Sequence, residues 1–209
     1  MKLTFALFNL AFLPSLLASS NVPEIEDGFE QVTCASTIKL TNSASGYKLH
    51  SHGVTYGSGS GQQSVTAFPE SDDANSFWVV EAATDMICKR GQPVPCGSLI
   101  RLRHPNTQGY LHSHDHPSPL SRQQEVSCYD GKDSGDNWRV ECLTGKKETW
   151  LREEPIQLVH QDTQTYLSSS TNYQFGQPIP GQLEVAAVKS SSNKNTQWMA
   201  QEGIYFAAK

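Results

Sequence analysis

Pairs of histidines spaced two residues apart are the side chains best suited to metal chemistry in this sequence. His50 and His52 form one pair, and His112 and His114 form another. Alternate residues of a β-strand point to the same face, so each pair would present two imidazoles together. Zinc normally takes four ligands, and no cysteine or carboxylate lies at a ligand spacing beside either pair. We therefore predict structural polar positions, with no bound metal and no other cofactor.

Catalytic side-chain arrangements are also missing from the sequence. The neighbouring carboxylates Asp72-Asp73 and Glu153-Glu154 would point to opposite sides of a strand, which is typical of solvated loop charges. The glycine-rich stretch from Gly57 to Gly61 is not followed by the Lys-Ser/Thr pair and helix of a phosphate-binding loop. No hydrolase elbow or zinc-protease helix motif is present. The sequence therefore predicts a protein that is not an enzyme.

The elements that would position the histidines recur three times along the chain. Trp78, Trp138 and Trp198 are evenly spaced, and each closes a similar run of residues. Each run opens with the same apolar alternation: Ile38-Lys39-Leu40, Ile100-Arg101-Leu102 and Ile156-Gln157-Leu158. Period-two alternation is typical of half-buried strands, and turn residues follow it in each run. A repeated unit of this kind usually closes a core only by packing against its copies.

Three such units with no helical periodicity predict an all-β fold. We expect the units to close around a pseudo-threefold axis, which is the β-trefoil arrangement. A propeller would need more blades, and a sandwich would not explain a threefold repeat.

The aromatic residues divide into core and surface candidates. Trp78 and Trp138 each lie two residues before a valine on the same strand face, so we predict packing in the core, as for Trp198, rather than a platform for sugars. Tyr110 and Tyr166 each precede a core leucine and face the other way, so we predict exposed contacts there.

Charge and apolar content limit the classes of partner. The chain has 209 residues, with 16 basic and 21 acidic side chains and a net charge of −5. A basic stripe for nucleic acid is missing. No apolar stretch after residue 20 approaches the ~20 residues of a membrane span.

The first part of the chain has the pattern of a secretory signal peptide. Lys2, the apolar run from Leu3 to Leu13 and the small residues Ala18-Ser19-Ser20 predict a signal peptide over residues 1–20. An acidic lead over residues 21–33 follows.

The five cysteines fit an oxidising lumen. Cys88 and Cys96 flank a short loop that a bridge would staple, which would leave Cys34 to pair with Cys142. The sequence alone does not fix this connectivity, so other pairings stay open. Cys128 is predicted to be a free thiol that packs in the core.

The histidine segments resemble a known family. Leu49-His50-Ser51-His52, Leu111-His112-Ser113-His114 and the stretch from Tyr56 to Val65 are similar to the MIR repeats of the stromal cell-derived factor 2 family. The resemblance implies a β-trefoil over residues 34–204, with MIR repeats at about 34–86, 94–148 and 150–203 and a short tail over residues 205–209. Cys34, Cys88, Cys96 and Cys142 lie where the family has cysteines, and Cys128 departs from it.

The resemblance also implies a function. It predicts a non-enzymatic cofactor of lumenal Hsp40 and Hsp70 chaperones, acting in protein quality control and the unfolded-protein response of the endoplasmic reticulum. Unfolded or mannosylated clients are further expected partners, and the protein is expected to be a monomer within a hetero-complex. The chain ends without a retention tetrapeptide, so secretion is the other expected outcome. The alternative function is carbohydrate binding by the trefoil.

The predicted contact surface combines the histidine hairpins with the glycine-rich loop. Its candidate residues for binding a partner or a glycan are His50, His52, Tyr56, Gly57, Gly59, Gly61, Tyr110, His112, His114 and Tyr166.

Overall fold

The structure is a computed structural model that describes residues 24–145 and 147–208. The predicted signal peptide and the first residues of the acidic lead lie outside this part of the chain.

The described residues form a 12-stranded sheet in which each repeat contributes four strands. The first repeat supplies β1 (Thr37–Asn42), β2 (Lys48–Thr55), β3 (Gln63–Phe68) and β4 (Phe77–Ala82). The second supplies β5 (Leu99–Arg103), β6 (Tyr110–Pro117), β7 (Gln124–Tyr129) and β8 (Trp138–Cys142). The third supplies β9 (Pro155–His160), β10 (Tyr166–Gln174), β11 (Leu183–Val188) and β12 (Trp198–Ile204).

The strands form a closed ring and a cap. Antiparallel pairing runs around the ring in the order β1, β4, β5, β8, β9 and β12, and β12 pairs with β1 again. The remaining strands form the hairpins β2–β3, β6–β7 and β10–β11, which meet through β3, β7 and β11. This arrangement confirms the predicted all-β trefoil.

One apolar core fills the ring. Trp78, Trp138 and Trp198 are each 0% exposed. Their indole N–H groups donate to the carbonyl oxygens of Leu49, Leu111 and Leu167, each at 2.9 Å. A buried indole needs such an acceptor, because an unpaired buried donor is costly. The predicted core position of all three tryptophans is confirmed.

Short 3₁₀ turns precede the last strand of each repeat. They span Ala74–Ser76, Ser134–Asp136 and Lys194–Thr196. The side chains of Asp73, Asp133 and Asn193 cap them by accepting backbone N–H groups. Within residues 24–145 and 147–208, no helix is long and apolar enough to cross a membrane.

The disulfides join Cys34 to Cys88 and Cys96 to Cys142, so the predicted pairing is wrong. The Cα atoms lie 6.1 Å and 5.7 Å apart, within bridging range. Each bridge joins the segment before the first strand of a repeat to the end of its last strand or the segment that follows, because those two strands pair. Cys128 is a buried free thiol, and burial raises its pKa to about 11.

Candidate functional site

The histidine pairs lie on the first strands of two cap hairpins. His50 is paired with Thr66, His112 with Ser127, and Ser168 takes the same place in the third hairpin opposite Ala186. The two rings of each pair lie close together, with centroids 5.1 Å apart for His50 and His52 and 5.0 Å apart for His112 and His114. The prediction that alternation brings each pair to one face is confirmed.

Two of the four histidines predicted to form the contact surface are buried, which corrects that prediction. His50 is 3% exposed and His112 is 4% exposed, whereas His52 and His114 are half-buried. The first histidine of each pair is covered by the 3₁₀ turn of its repeat and by an aromatic ring. The His50 ring stacks on Phe68 at 5.0 Å, and the His112 ring lies 4.9 Å from Tyr129.

The first-repeat cleft surrounds His50. Its Nε2 lies 3.5 Å from Asp73 Oδ2, and its Nδ1 lies 3.2 Å from Thr66 Oγ1. Burial lowers the pKa of His50 to about 4, although the Asp73 carboxylate acts in the opposite direction. Asp73 is therefore not the solvated loop charge that the sequence predicted, because it both caps the 3₁₀ turn and faces this imidazole.

The second-repeat cleft brings two carboxylates to one imidazole nitrogen. His112 Nδ1 lies 3.0 Å from Asp136 Oδ1 and 3.5 Å from Asp133 Oδ1. The expectation that no carboxylate joins the histidines is wrong, because the 3₁₀ turn after β7 folds back onto β6. The detectable signal was Asp133 and Asp136 at capping-box spacing just before Trp138.

Both clefts are open to solvent. The second-repeat cleft has a volume of about 460 Å³, and its rim includes His114, Asp115 and Asp162. The first-repeat cleft has a volume of about 410 Å³, and its rim includes His52 and Gln182.

A buried carboxylate ties the glycine-rich loop to the second repeat. Glu125 is 0% exposed, and its side chain accepts from Ser60 N at 3.3 Å and from the Ser60 hydroxyl. Glu125 Oε1 also lies 3.1 Å from His114 Nε2, and burial lowers the pKa of that histidine. Gly59 has a φ of 68°, and a Cβ there would overlap the Glu125 carboxylate. Gly57, Gly59 and Gly61 are exposed, as predicted.

The corresponding loop of the second repeat is held by the third repeat in the same way. Glu184 is buried and accepts from Leu120 N at 2.7 Å and from Ser121 N at 2.9 Å. Two of the exposed loops are therefore fixed by carboxylates from the next repeat along the chain.

The three candidate tyrosines are less accessible than predicted. The Tyr56 hydroxyl is buried and lies 2.9 Å from the carbonyl oxygens of Val65 and Val126, so it joins two repeats, and burial raises its pKa. Tyr110 is also buried, which contradicts its predicted exposure: its hydroxyl donates to Glu81 at 2.9 Å, and the Arg101 guanidinium covers its ring at 4.6 Å. Tyr166 is half-buried.

Known proteins share this fold and much of this sequence. The MIR domain family matches residues 48–200. The stromal cell-derived factor 2-like protein of Dictyostelium discoideum is 42% identical over 215 residues, covering 100% of both chains.

Two solved structures add to this comparison. The crystal structure of the SDF2-like protein from Arabidopsis thaliana superposes with a TM-score of 0.82 at 40% identity, covering 86% of this chain and 99% of that one. A protein O-mannosyltransferase complex of S. cerevisiae, solved with its sugar donor bound, superposes with a TM-score of 0.75 at 29% identity. That match covers 87% of this chain and 28% of the mannosyltransferase chain.

Proposed function

Because this chain belongs to the stromal cell-derived factor 2 family of MIR-domain proteins, we propose that it is a non-enzymatic interaction module of the endoplasmic reticulum lumen. In this role it binds a lumenal Hsp40 and assists the Hsp70 system in holding unfolded or mannosylated client proteins. It acts as a monomer within that hetero-complex, in quality control and the unfolded-protein response.

The observation that carries this proposal is the fixed, exposed glycine-rich loop. Gly57, Gly59 and Gly61 face solvent, while Ser60 between them is held by the buried Glu125. A loop that is already ordered loses little conformational entropy when a partner binds. The loop therefore offers a partner a preorganised surface on which to dock.

The two disulfides support the lumenal location. Bridges such as Cys34–Cys88 and Cys96–Cys142 persist in oxidising compartments and are rare in the cytosol. Secretion is compatible with the same chemistry, and fractionation of the secretory pathway distinguishes the two destinations.

We place the docking surface on the Gly57–Gly61 loop, His52 and His114. Tyr166 is half-buried on the third hairpin and lies outside this surface. His50, His112, Tyr56 and Tyr110 are buried, so in this proposal they support the surface from beneath and do not touch the partner.

Affinity purification of the protein from the secretory lumen tests the proposal. The wild-type protein is expected to recover a J-domain protein. Ser58→Arg in the exposed loop, combined with His114→Ser, is expected to reduce that recovery at least several-fold. Asn172→Arg on the third hairpin is the matched control, because it also adds a cation at an exposed position. Equal recovery with all three proteins would remove this docking surface.

Carbohydrate binding is the weaker alternative. The repeated tryptophans and Tyr110 are buried, so they offer no exposed ring face on which a sugar could stack. A glycan array tests this alternative: mannose-dependent binding by a protein that recovers no J-domain protein would replace the Hsp40 proposal with glycoprotein recognition.

A further inference from the structure

The second-repeat cleft holds a set of ligand atoms that suits a divalent metal ion. His112 Nδ1, an Asp133 carboxylate oxygen and an Asp136 carboxylate oxygen all lie within 4.8 Å of one another. Bonds of about 2.0–2.2 Å to zinc place neighbouring ligand atoms roughly 3–3.5 Å apart. The separations of 3.0 Å and 3.5 Å from His112 Nδ1 match this spacing. We propose that His112, Asp133 and Asp136 bind one divalent cation of the zinc class.

The burial of Asp136 is the second observation that points to a cation. Its side chain is 0% exposed: Oδ1 lies 3.0 Å from His112 Nδ1, and Oδ2 accepts one long hydrogen bond, from Asp133 N at 3.4 Å. Among the ion pairs of the described residues, neither Asp133 nor Asp136 is paired with a lysine or an arginine. Buried charges are normally paired or bound to a metal.

The cleft also leaves room for the remaining ligands. Asp133 is 54% exposed and lies at the rim, so an ion can reach the site from solvent. Zinc sites with three protein ligands complete their coordination with water, and the volume of about 460 Å³ accommodates it. A mixed imidazole and carboxylate set favours zinc or a similar transition metal over calcium, which takes oxygen ligands.

The other two repeats provide internal controls, because each lacks part of the ligand set. The first repeat keeps His50 and Asp73 but has Ser76 in place of Asp136. The third repeat has Ser168, Asn193 and Thr196 at the three positions. The described residues therefore hold one complete set, and a stoichiometry of one ion per chain follows.

Isothermal titration of the purified protein with a zinc salt at neutral pH tests the site. The wild-type protein is expected to show one saturable site. Asp136→Ser copies the first repeat and Asp133→Asn copies the third, and each is expected to weaken zinc binding by at least about tenfold, since even changes to the partners of metal ligands cost 10–100-fold. Asp73→Asn is the matched control in the first-repeat cleft and is expected to leave the affinity unchanged.

Co²⁺ titration gives a second readout, because a His-Asp-Asp site changes the visible spectrum of the bound ion. Asp133→Asn keeps the side-chain cap that Asn193 provides in the third repeat, so this variant reports on binding even if Asp136→Ser unfolds the protein. No saturable binding, or full-affinity binding in Asp133→Asn, would overturn the proposal. Binding that is abolished by His52→Ala or His116→Ala would place the ion on histidines outside the proposed site, and would overturn it too.

Discussion

The three repeats are equivalent in the ring interior but differ from one another in the cap clefts. In the interior, three tryptophans are equally buried and make the same 2.9 Å hydrogen bond to a leucine carbonyl. In the clefts, the equivalent residues differ between the repeats. The position of His50 in the first repeat is a histidine in the second and a serine in the third, and the position of Ser76 is an aspartate in the second and a threonine in the third. A shared core needs equal shapes from all three repeats, whereas solvent-facing clefts can diverge. Binding should therefore be sought where the repeats differ.

Removing one interior tryptophan should have the largest effect. Trp138→Ala leaves a cavity and an unpaired Leu111 carbonyl, so we expect a loss of about 3–5 kcal/mol in the free energy of unfolding. Trp78→Ala and Trp198→Ala should cost similar amounts, which chemical denaturation would measure. A loss confined to one of the three variants would break the equivalence of the repeats.

Opening one disulfide should have the next largest effect. Replacing both Cys96 and Cys142 by alanine should lower the free energy of unfolding by about 2–4 kcal/mol, because the unfolded chain gains freedom. Replacing both Cys34 and Cys88 by alanine should lower the free energy of unfolding by a similar amount, because that bridge closes a loop of similar length. Mass mapping of non-reduced peptides checks the pairing itself, and a Cys88–Cys96 peptide would contradict this fold.

The buried carboxylates should have smaller, local effects. Glu125→Ala leaves Ser60 N and His114 without their partner, so we expect a loss of about 1–3 kcal/mol and faster amide exchange in the Gly57–Gly61 loop. Glu184→Ala should instead speed exchange at Leu120 and Ser121. If either variant loosened both loops equally, the loops would not be held separately.

A pH-dependent effect concerns the first-repeat cleft. Burial lowers the pKa of His50 to about 4, while in the unfolded chain it titrates near 6.5. The unfolded chain therefore binds more protons between these values, so this contribution to stability is full above about pH 6.5 and is lost as pH falls toward about 4. Other groups that act on His50 are Asp73, His52 and His104.

His50→Ser, which copies the third repeat, should flatten the decline of the melting temperature between pH 6.5 and pH 4.5. An unchanged slope in His50→Ser would show that this buried imidazole does not control acid sensitivity.

Local alternation predicted the fold well, because it reports which side of a strand is buried. It placed Trp78 and Trp138 in the core and brought His112 and His114 to one face. The main failures depended on contacts between segments far apart in the sequence.

Such contacts explain the wrong disulfide pairing, the burial of Tyr110 and the missed role of Asp136. The bridge from Cys34 to Cys88 follows from strand pairing across the ring, and Tyr110 is covered by Glu81 and Arg101 from neighbouring strands. Asp136 meets His112 only after a turn folds back. Spacing along one strand carries no information about such neighbours.

Hydrogen exchange of the protein, with and without a lumenal J-domain protein, tests most directly whether the partner binds the glycine-rich loop and the second hairpin and leaves the third hairpin free. We predict slower exchange in the Gly57–Gly61 loop and in Tyr110–Pro117, with no change in Tyr166–Gln174. Protection spread equally over the three hairpins, or confined to the third, would contradict this account.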